Sequence, residues 1–217
     1  MSICYIVGPL EHGFKINKQK GDYIIAADAG YLRLGGISPD LVIGDFDSLG
    51  FIPENVKIEL HPTEKDDTDT LLAVKAGLSR GANRFVLLGC AGGRLDHTIA
   101  NLQTLIFIAE NGAEGFLFGE VEVVTAVKNG SVSFAEGLSG NVSVFSAGSV
   151  SSGVYISGLK YTLENMSLTN SFPLGASNAF TGEKAVIKVT DGILLVVFQI
   201  KTASVQAVLS DVFISKS

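Results

Sequence analysis

Residues Arg84-Phe-Val-Leu-Leu-Gly-Cys-Ala-Gly-Gly-Arg-Leu-Asp-His97, running on into Thr98-Ile-Ala-Asn-Leu-Gln-Thr-Leu-Ile-Phe-Ile-Ala-Glu110, decide how the fold is read. Phe85-Val-Leu-Leu88 is a short apolar run of the kind buried on both faces of a parallel sheet. A glycine-rich turn follows, then a helix predicted over 98–110. Within it Ile99, Leu102, Ile106 and Ala109 recur at spacings of three and four, one stripe of an amphipathic helix. The same strand-then-loop grammar appears twice upstream: Ile24-Ile-Ala-Ala27 leads into Asp28-Ala-Gly30, and Leu41-Val-Ile43 into Gly44-Asp-Phe-Asp-Ser48. A further cluster, Lys65-Asp-Asp-Thr-Asp69, lies a few residues beyond Lys57-Ile-Glu-Leu60. In an open parallel sheet the loops leaving the carboxyl ends of the strands converge on one crevice, where ligands bind. Acidic side chains far apart in sequence are therefore expected to meet along one edge.

Outward from these clusters, residues 1 to about 127 alternate strand and helix signals, the pattern of βαβ units in a mostly parallel, Rossmann-like sheet. The strands expected are 3–7, 23–27, 41–43, 57–60, 84–88 and 115–118, with helices over 68–79 and 98–110 that end near Gly81 and Gly112. After Val127 helical periodicity fades. Short Val/Ile/Phe/Ser segments recur at 131–134, 141–145, 153–156, 185–189 and 193–199, with Asp191-Gly192 read as a two-residue hairpin turn. That pattern predicts an all-β antiparallel sandwich. The fold class is thus an α/β domain over 1–127 followed by a β-sandwich domain over 128–217, joined at the turn Lys128-Asn-Gly130.

The chain's 217 residues suffice for a substantial core, and 47% of them are apolar. A net charge of -6 argues against nucleic acid as the main partner, which usually requires a basic face. Met1-Ser-Ile-Cys-Tyr-Ile-Val7 lacks the basic start of a signal peptide and reads as a first strand. Ile193-Leu-Leu-Val-Val-Phe198 is too short to cross a bilayer. Cys4 and Cys90 lie in or beside buried strands, so inert core thiols and a reduced cytoplasm are expected, with no membrane partner.

In Asp45-Phe-Asp47 both carboxylates can face the crevice while Phe46 turns into the core. An Asp-x-Asp pair is a natural oxygen set for magnesium, although Gly-Asp and Asp-Ser are also common turn formers. Asp66 and Asp69 share one face of a helix start, where they can serve a metal or simply complement the helix dipole. Asp67 is expected to point away into solvent, and Lys65 to touch a phosphate or pair with an acid. Gly92 and Gly93 can offer backbone N–H groups to an anion, with Arg94 as a bidentate donor. Asp96 is either an N-terminal helix acid or a further metal ligand, and His97 is taken as structural. The set matters more than its members: at 4 Å each pair of carboxylates repels by about 4 kcal/mol at an effective dielectric of 20. Divalent cations bridging carboxylates to phosphates relieve that repulsion and stabilise charge in phosphoryl transfer.

In this order, Asp28-x-Gly30, Gly44-Asp-Phe-Asp-Ser48, Lys65-Asp-x-Thr-Asp69 and Gly92-Gly-Arg-x-Asp-His97 resemble the thiamine pyrophosphokinases. The resemblance continues through Gly175-Ala-Ser-Asn178 and Asp191-Gly192, nearly the whole chain. It implies an N-terminal ATP-binding domain, a β domain completing the thiamine pocket in a homodimer, and magnesium as cofactor. It also implies transfer of the diphosphate of ATP to the thiamine hydroxyl. Asp45, Asp47, Asp66, Asp69 and Asp96 match the family's acidic catalytic positions, and Asp45, Asp47, Asp69 and Asp96 its metal positions. Asp28, Thr68, Gly92, Gly93 and Arg94 match positions that serve the nucleotide, and Ser177 and Asn178 the segment that helps hold thiamine. The motif Asp28-Ala-Gly30 departs from the commoner Asp-Gly-Gly. With no tryptophan in the chain, Phe180 becomes the candidate ring against the substrate, or else a core residue. The remaining readings are a diphosphokinase for a pterin alcohol, an Asp-x-Asp glycosyltransferase, and a non-catalytic nucleotide or thiamine sensor.

Overall fold

A computed structural model describes residues 2–47, 49–61 and 66–216. The chain forms two compact units, Met1–Glu120 and Val121–Ser217. Among the described residues there are three α-helices, and most other elements are strands.

The first unit holds strands β1 (Cys4–Val7), β2 (Tyr23–Ala27), β3 (Leu41–Gly44), β4 (Ile58–Leu60), β5 (Arg84–Leu88) and β6 (Glu114–Phe118). Every pairing among them is parallel: β1 lies between β2 and β5, β3 and β4 extend one side, and β6 the other. The apolar runs of β1, β2, β3 and β5 are buried almost end to end, which is why they read as continuous rather than alternating hydrophobics. Strand order reverses at β1, whose neighbours β2 and β5 are the next strand and a much later one. That makes the carboxyl ends of β1 and β5 the switch point of this sheet, the place where open α/β sheets bind ligands.

Helix α1 (Asp69–Ser79) is capped by Thr68, whose hydroxyl accepts a 3.2 Å bond from the Leu71 amide. It buries Ala73, Val74 and Gly77. Helix α2 (Leu95–Glu110) starts three residues before the predicted Thr98, and of the predicted stripe only Ala109 is buried. Ile99 stands 49% exposed and Leu102 and Ile106 are half-buried, while Asn101, Thr104, Leu105, Ile108 and Ala109 go inward. The helix is apolar enough to carry two stripes at the same spacing. The stripe with two polar members wins because both are satisfied: Asn101 bonds the Cys90 carbonyl at 2.7 Å and Thr104 the Ala100 carbonyl at 3.0 Å.

The second unit is antiparallel: β7 (Glu122–Phe134), β8 (Asn141–Ser146), β9 (Val150–Ser157), β10 (Leu163–Thr169), β11 (Asn178–Ala179), β12 (Ala185–Gln199) and β13 (Val212–Lys216), with α3 (Val205–Asp211) before the last. Strand β12 is central, pairing with β7 along its length, with β9 through its first half and with β8 through its second. Two expectations fail here. Asp191-Gly192 is not a hairpin turn, and Lys128-Asn-Gly130 is not a turn between domains: both sit inside long strands. The β7–β12 register jumps from Val189↔Gly130 to Ile193↔Lys128, a bulge in which Asn129 takes φ +44° and its side chain accepts the Gly192 amide at 2.9 Å. Pairing with β7 resumes beyond the bulge, which makes one bent strand of two predicted ones.

In the first unit, Gly30 lies against the end of β1, where a Cβ would stand 1.9 Å from the Val7 carbonyl oxygen. Gly30→Ala is expected to destabilise the chain by about 1–3 kcal/mol through this overlap. Urea unfolding checks it, and a wild-type midpoint would show that the contact yields freely.

Candidate functional site

The loops leaving the first unit's sheet are tied together by backbone bonds beyond the strand ends. The Gly8 amide donates to the Leu88 carbonyl at 2.8 Å and the Leu10 amide to the Gly89 carbonyl at 3.1 Å, extending the β1–β5 contact into both loops. The Arg33 Nε donates to the Pro9 carbonyl at 2.9 Å and its Nη1 pairs with Glu11, which holds the loop after β1 against the segment after β2.

That segment is a short 3-10 helix, Asp28–Arg33, entered through Asp28 at φ +48°. The Asp28 Oδ1 atom is buried without a hydrogen-bond partner. At the end of β3, Gly44 comes so close to Asp28 that a Cβ there would lie 3.0 Å from the Asp28 Cβ. The first two acidic motifs are therefore neighbours. The Gly44 carbonyl also accepts the His61 amide at 3.0 Å, which carries the end of β4 to the same place.

Asp45-Phe-Asp47 forms the turn that its residue types allow. Phe46 is buried at φ +62°, so its ring turns inward as predicted, and Asp45 is half-buried while Asp47 is exposed. The Asp45 Oδ1 accepts the Asp47 amide at 3.1 Å, closing an Asx turn. Lys65 and Ser48 lie outside the described residues. Asp66 is exposed and Asp69 occupies the first turn of α1. Asp67 is not simply solvated, since it forms an ion pair with Lys75 at 2.6 Å.

In the fourth cluster the Gly92 amide is already engaged, donating to the Thr98 hydroxyl at 3.1 Å. Arg94 and Asp96 are paired with each other, Nη2 to Oδ2 at 2.6 Å and Nε to Oδ1 at 3.2 Å. This pairing holds the Asp96 carboxyl below the usual carboxylate range and raises the Arg94 guanidinium. His97 is exposed, its amide bonded to Asp96 Oδ1 at 3.0 Å. Burial pushes the Cys4 and Cys90 thiols up to about 12, so both are inert as expected.

Among the described residues no group of three or more His, Cys, Asp or Glu side chains stands close enough to hold a metal ion. The predicted ligands Asp45, Asp47, Asp69 and Asp96 therefore do not form a ready-made cage. Magnesium seldom needs one, because it usually takes one or two carboxylates together with substrate phosphates and water. The unpartnered Asp28 oxygen, at the strand end Gly44 that leads into Asp45, fits that mode of binding.

In the second unit Asn178 is buried, and its side chain clamps a loop. Its Oδ1 accepts the Tyr161 and Ala179 amides, each at 2.9 Å, and its Nδ2 donates to the Tyr161 carbonyl at 2.6 Å. The amide is thus internal rather than presented to a substrate, while Ser177 beside it is exposed at φ +60°. Phe180 is a core residue, edge-on to Phe134 at 5.1 Å. A cavity of about 320 Å³ in this unit lies between residues 137–139, the end of β12 and α3, and neither Ser177 nor Asn178 lines it. The reading of the sequence missed Thr98 and Asn101. Their signal was a pair of polar residues three apart, on one side of the helix that follows the glycine-rich turn.

Two family models match the chain: thiamin pyrophosphokinase, catalytic domain, over residues 14–117, and thiamin pyrophosphokinase, vitamin B1 binding domain, over residues 131–194. The thiamine pyrophosphokinase of Bacillus subtilis is 26% identical over 193 residues, covering 80% of this chain and 85% of its own. Thiamin pyrophosphokinase 1 of Caenorhabditis elegans is 25% identical over 170 residues, 72% of this chain and 68% of its own. The crystal structure of the Bacillus subtilis thiamine pyrophosphokinase superposes with a TM-score of 0.80 at 22% identity, covering 93% of this chain and all of that one, a likeness of fold.

The Arg94–Asp96 pair has a measurable consequence. A carboxylate held by a guanidinium keeps its charge to lower pH, so the pair is intact at neutral pH and breaks only as pH falls through the lowered midpoint. Carboxyl-carbon NMR should give Asp96 a midpoint below that of an ordinary aspartate, moving upward in Arg94→Gln. Equal midpoints in the two proteins would contradict the pairing.

Proposed function

The chain belongs to the thiamin pyrophosphokinase family, and from that premise we infer that it transfers the diphosphate of ATP to the hydroxyl of thiamine, giving thiamine diphosphate and AMP. The observation that carries this reading is the match of both halves of the chain, in order, to the two domains of that family. The crowding of acidic loops at the carboxyl edge of a parallel sheet supports it, because that edge is where a nucleotide with its cation is expected.

In this reading the first unit, Met1–Glu120 rather than the expected 1–127, forms a Rossmann-like ATP-binding catalytic domain, and the second, Val121–Ser217 rather than 128–217, a β sandwich that supplies thiamine binding. The thiamine hydroxyl attacks the β-phosphorus in line. The new oxygen–phosphorus bond forms as the bond from that phosphorus to the bridging oxygen breaks, and AMP departs with the bridging electrons. The hydroxyl proton passes to a carboxylate, for which Asp69 is the first candidate, and from there to solvent. Magnesium, when bound with ATP, neutralises phosphate charge, and Asp45, Asp47, Asp69 and Asp96 are its candidate ligands, with Asp28 and Asp66 beside them.

Gly93, Arg94 and the first turn of α2 are left to meet the phosphates, since the Gly92 amide faces Thr98. Arg94 must exchange Asp96 for a phosphate, and the exchange frees Asp96 for the cation. Thr68 serves the nucleotide indirectly, by fixing the start of α1. Ser177 is the candidate contact to thiamine, and Asn178 shapes the backbone around it. A cytoplasmic homodimer belongs to the same reading and rests on the family. No helix among the described residues is long and apolar enough to cross a membrane.

Asp47→Asn and Asp69→Asn test the assignment, since each removes a charge while keeping shape. Each should lower thiamine-dependent AMP release about 100-fold or more while leaving the circular dichroism melt close to wild type. Wild-type turnover in either variant would remove that residue from the site.

A further inference from the structure

Thr98 and Asn101 lie on the inner side of α2's first turns, and both reach back to the loop between β5 and that helix. Asn101 is 6% exposed, and its Nδ2 donates to the Cys90 carbonyl at 2.7 Å across eleven residues of chain. The Thr98 hydroxyl accepts the Gly92 amide at 3.1 Å, and its one proton goes to the Gly92 carbonyl at 3.2 Å or the Arg94 carbonyl at 3.3 Å. The loop is thus pinned at Cys90 by one side chain and at Gly92 by the other. Its far side is fixed as well, by the Leu10 amide on the Gly89 carbonyl.

We propose that Thr98 and Asn101 are positioning residues that set the shape of the Gly89–Arg94 loop so that Gly93 and Arg94 meet the triphosphate of ATP. The inference rests on the functional reading above and goes beyond it, because neither residue touches substrate. Turning the Gly92 amide inward forces the chain to present the next residue outward, and Gly93 at φ +63° provides that reversal. An asparagine in an apolar face would be a poor choice for packing alone. It has a rationale here because it bonds a carbonyl that the loop's geometry leaves facing the core. A purely structural role, by contrast, would affect folding and leave ligand affinities alone.

Asn101→Leu leaves the buried Cys90 carbonyl unpaired and threatens folding itself, so the test uses the half-exposed Thr98. Calorimetric titration of the full-length protein with ATP and magnesium is compared for the wild type, Thr98→Val and Thr98→Ser, together with steady-state kinetics. Thr98→Val removes the hydroxyl at nearly constant volume and should weaken ATP binding about fivefold to tenfold, the loss of one hydrogen bond, with the KM for thiamine unchanged. Thr98→Ser restores the hydroxyl and should bind ATP within about twofold of wild type. ATP affinity unchanged in Thr98→Val would overturn the proposal, as would equal losses in Val and Ser variants or a parallel rise in both KM values. A wild type that binds no ATP would overturn the functional reading itself, and this inference with it.

Discussion

The backbone contact between the ends of β1 and β5 is the constraint on which the rest of the first unit depends. Where the strands stop, two further amide-to-carbonyl bonds, Gly8 to Leu88 and Leu10 to Gly89, carry the sheet into its loops. Gly30 then seats the segment after β2 on the Val7 carbonyl, and Gly44 seats the end of β3 on Asp28. The first seat admits no side chain, and the second would hold a Cβ only as a tight contact. Acidic motifs separated by tens of residues are therefore held along one edge by packing of main chain on main chain, not by attraction between the acids themselves.

The local ion pairs fit that picture. Asp67 with Lys75 and Asp96 with Arg94 each neutralise one carboxylate of the crowd within a few residues of chain. Asp45 instead accepts a backbone amide, and one oxygen of Asp28 remains buried and unpartnered. The groups that a polyphosphate and its cation would engage are thus divided between those held in reserve by a partner and those already bare. Because the Arg94–Asp96 pair is fully exposed, exchanging it for a phosphate and a cation demands little.

Much of the first unit was legible because each element carried its own signal: an apolar run for β2 or β5, a capping threonine for α1, a glycine after each helix. Polar residues in α2 misled the reading, since periodicity counts apolar side chains and cannot see that Asn101 has a partner in the Cys90 carbonyl and Thr104 one in its own helix. In the second unit Asp191-Gly192 carries a strong hairpin signal, yet the same conformational freedom builds a bulge when both flanking segments pair with one long neighbour, β7. That neighbour lies sixty residues upstream, so no local pattern reveals it. The short helix α3 and strand β13 lacked any clear signal. The site motifs themselves were legible as positions, while their hydrogen bonding was not: the inward amide of Gly92 and the clamped side chain of Asn178 depend on partners at Thr98 and Tyr161.

Phosphorus NMR of the protein with ATP, magnesium and thiamine, beside a sample without thiamine, tests the central claim most directly. The account predicts thiamine diphosphate and AMP in equal amounts, formed only when thiamine is present. ADP with thiamine monophosphate would place the attack on the γ-phosphorus and contradict the transfer chemistry. Binding of both ligands without any turnover would contradict the enzyme and leave a sensor in its place.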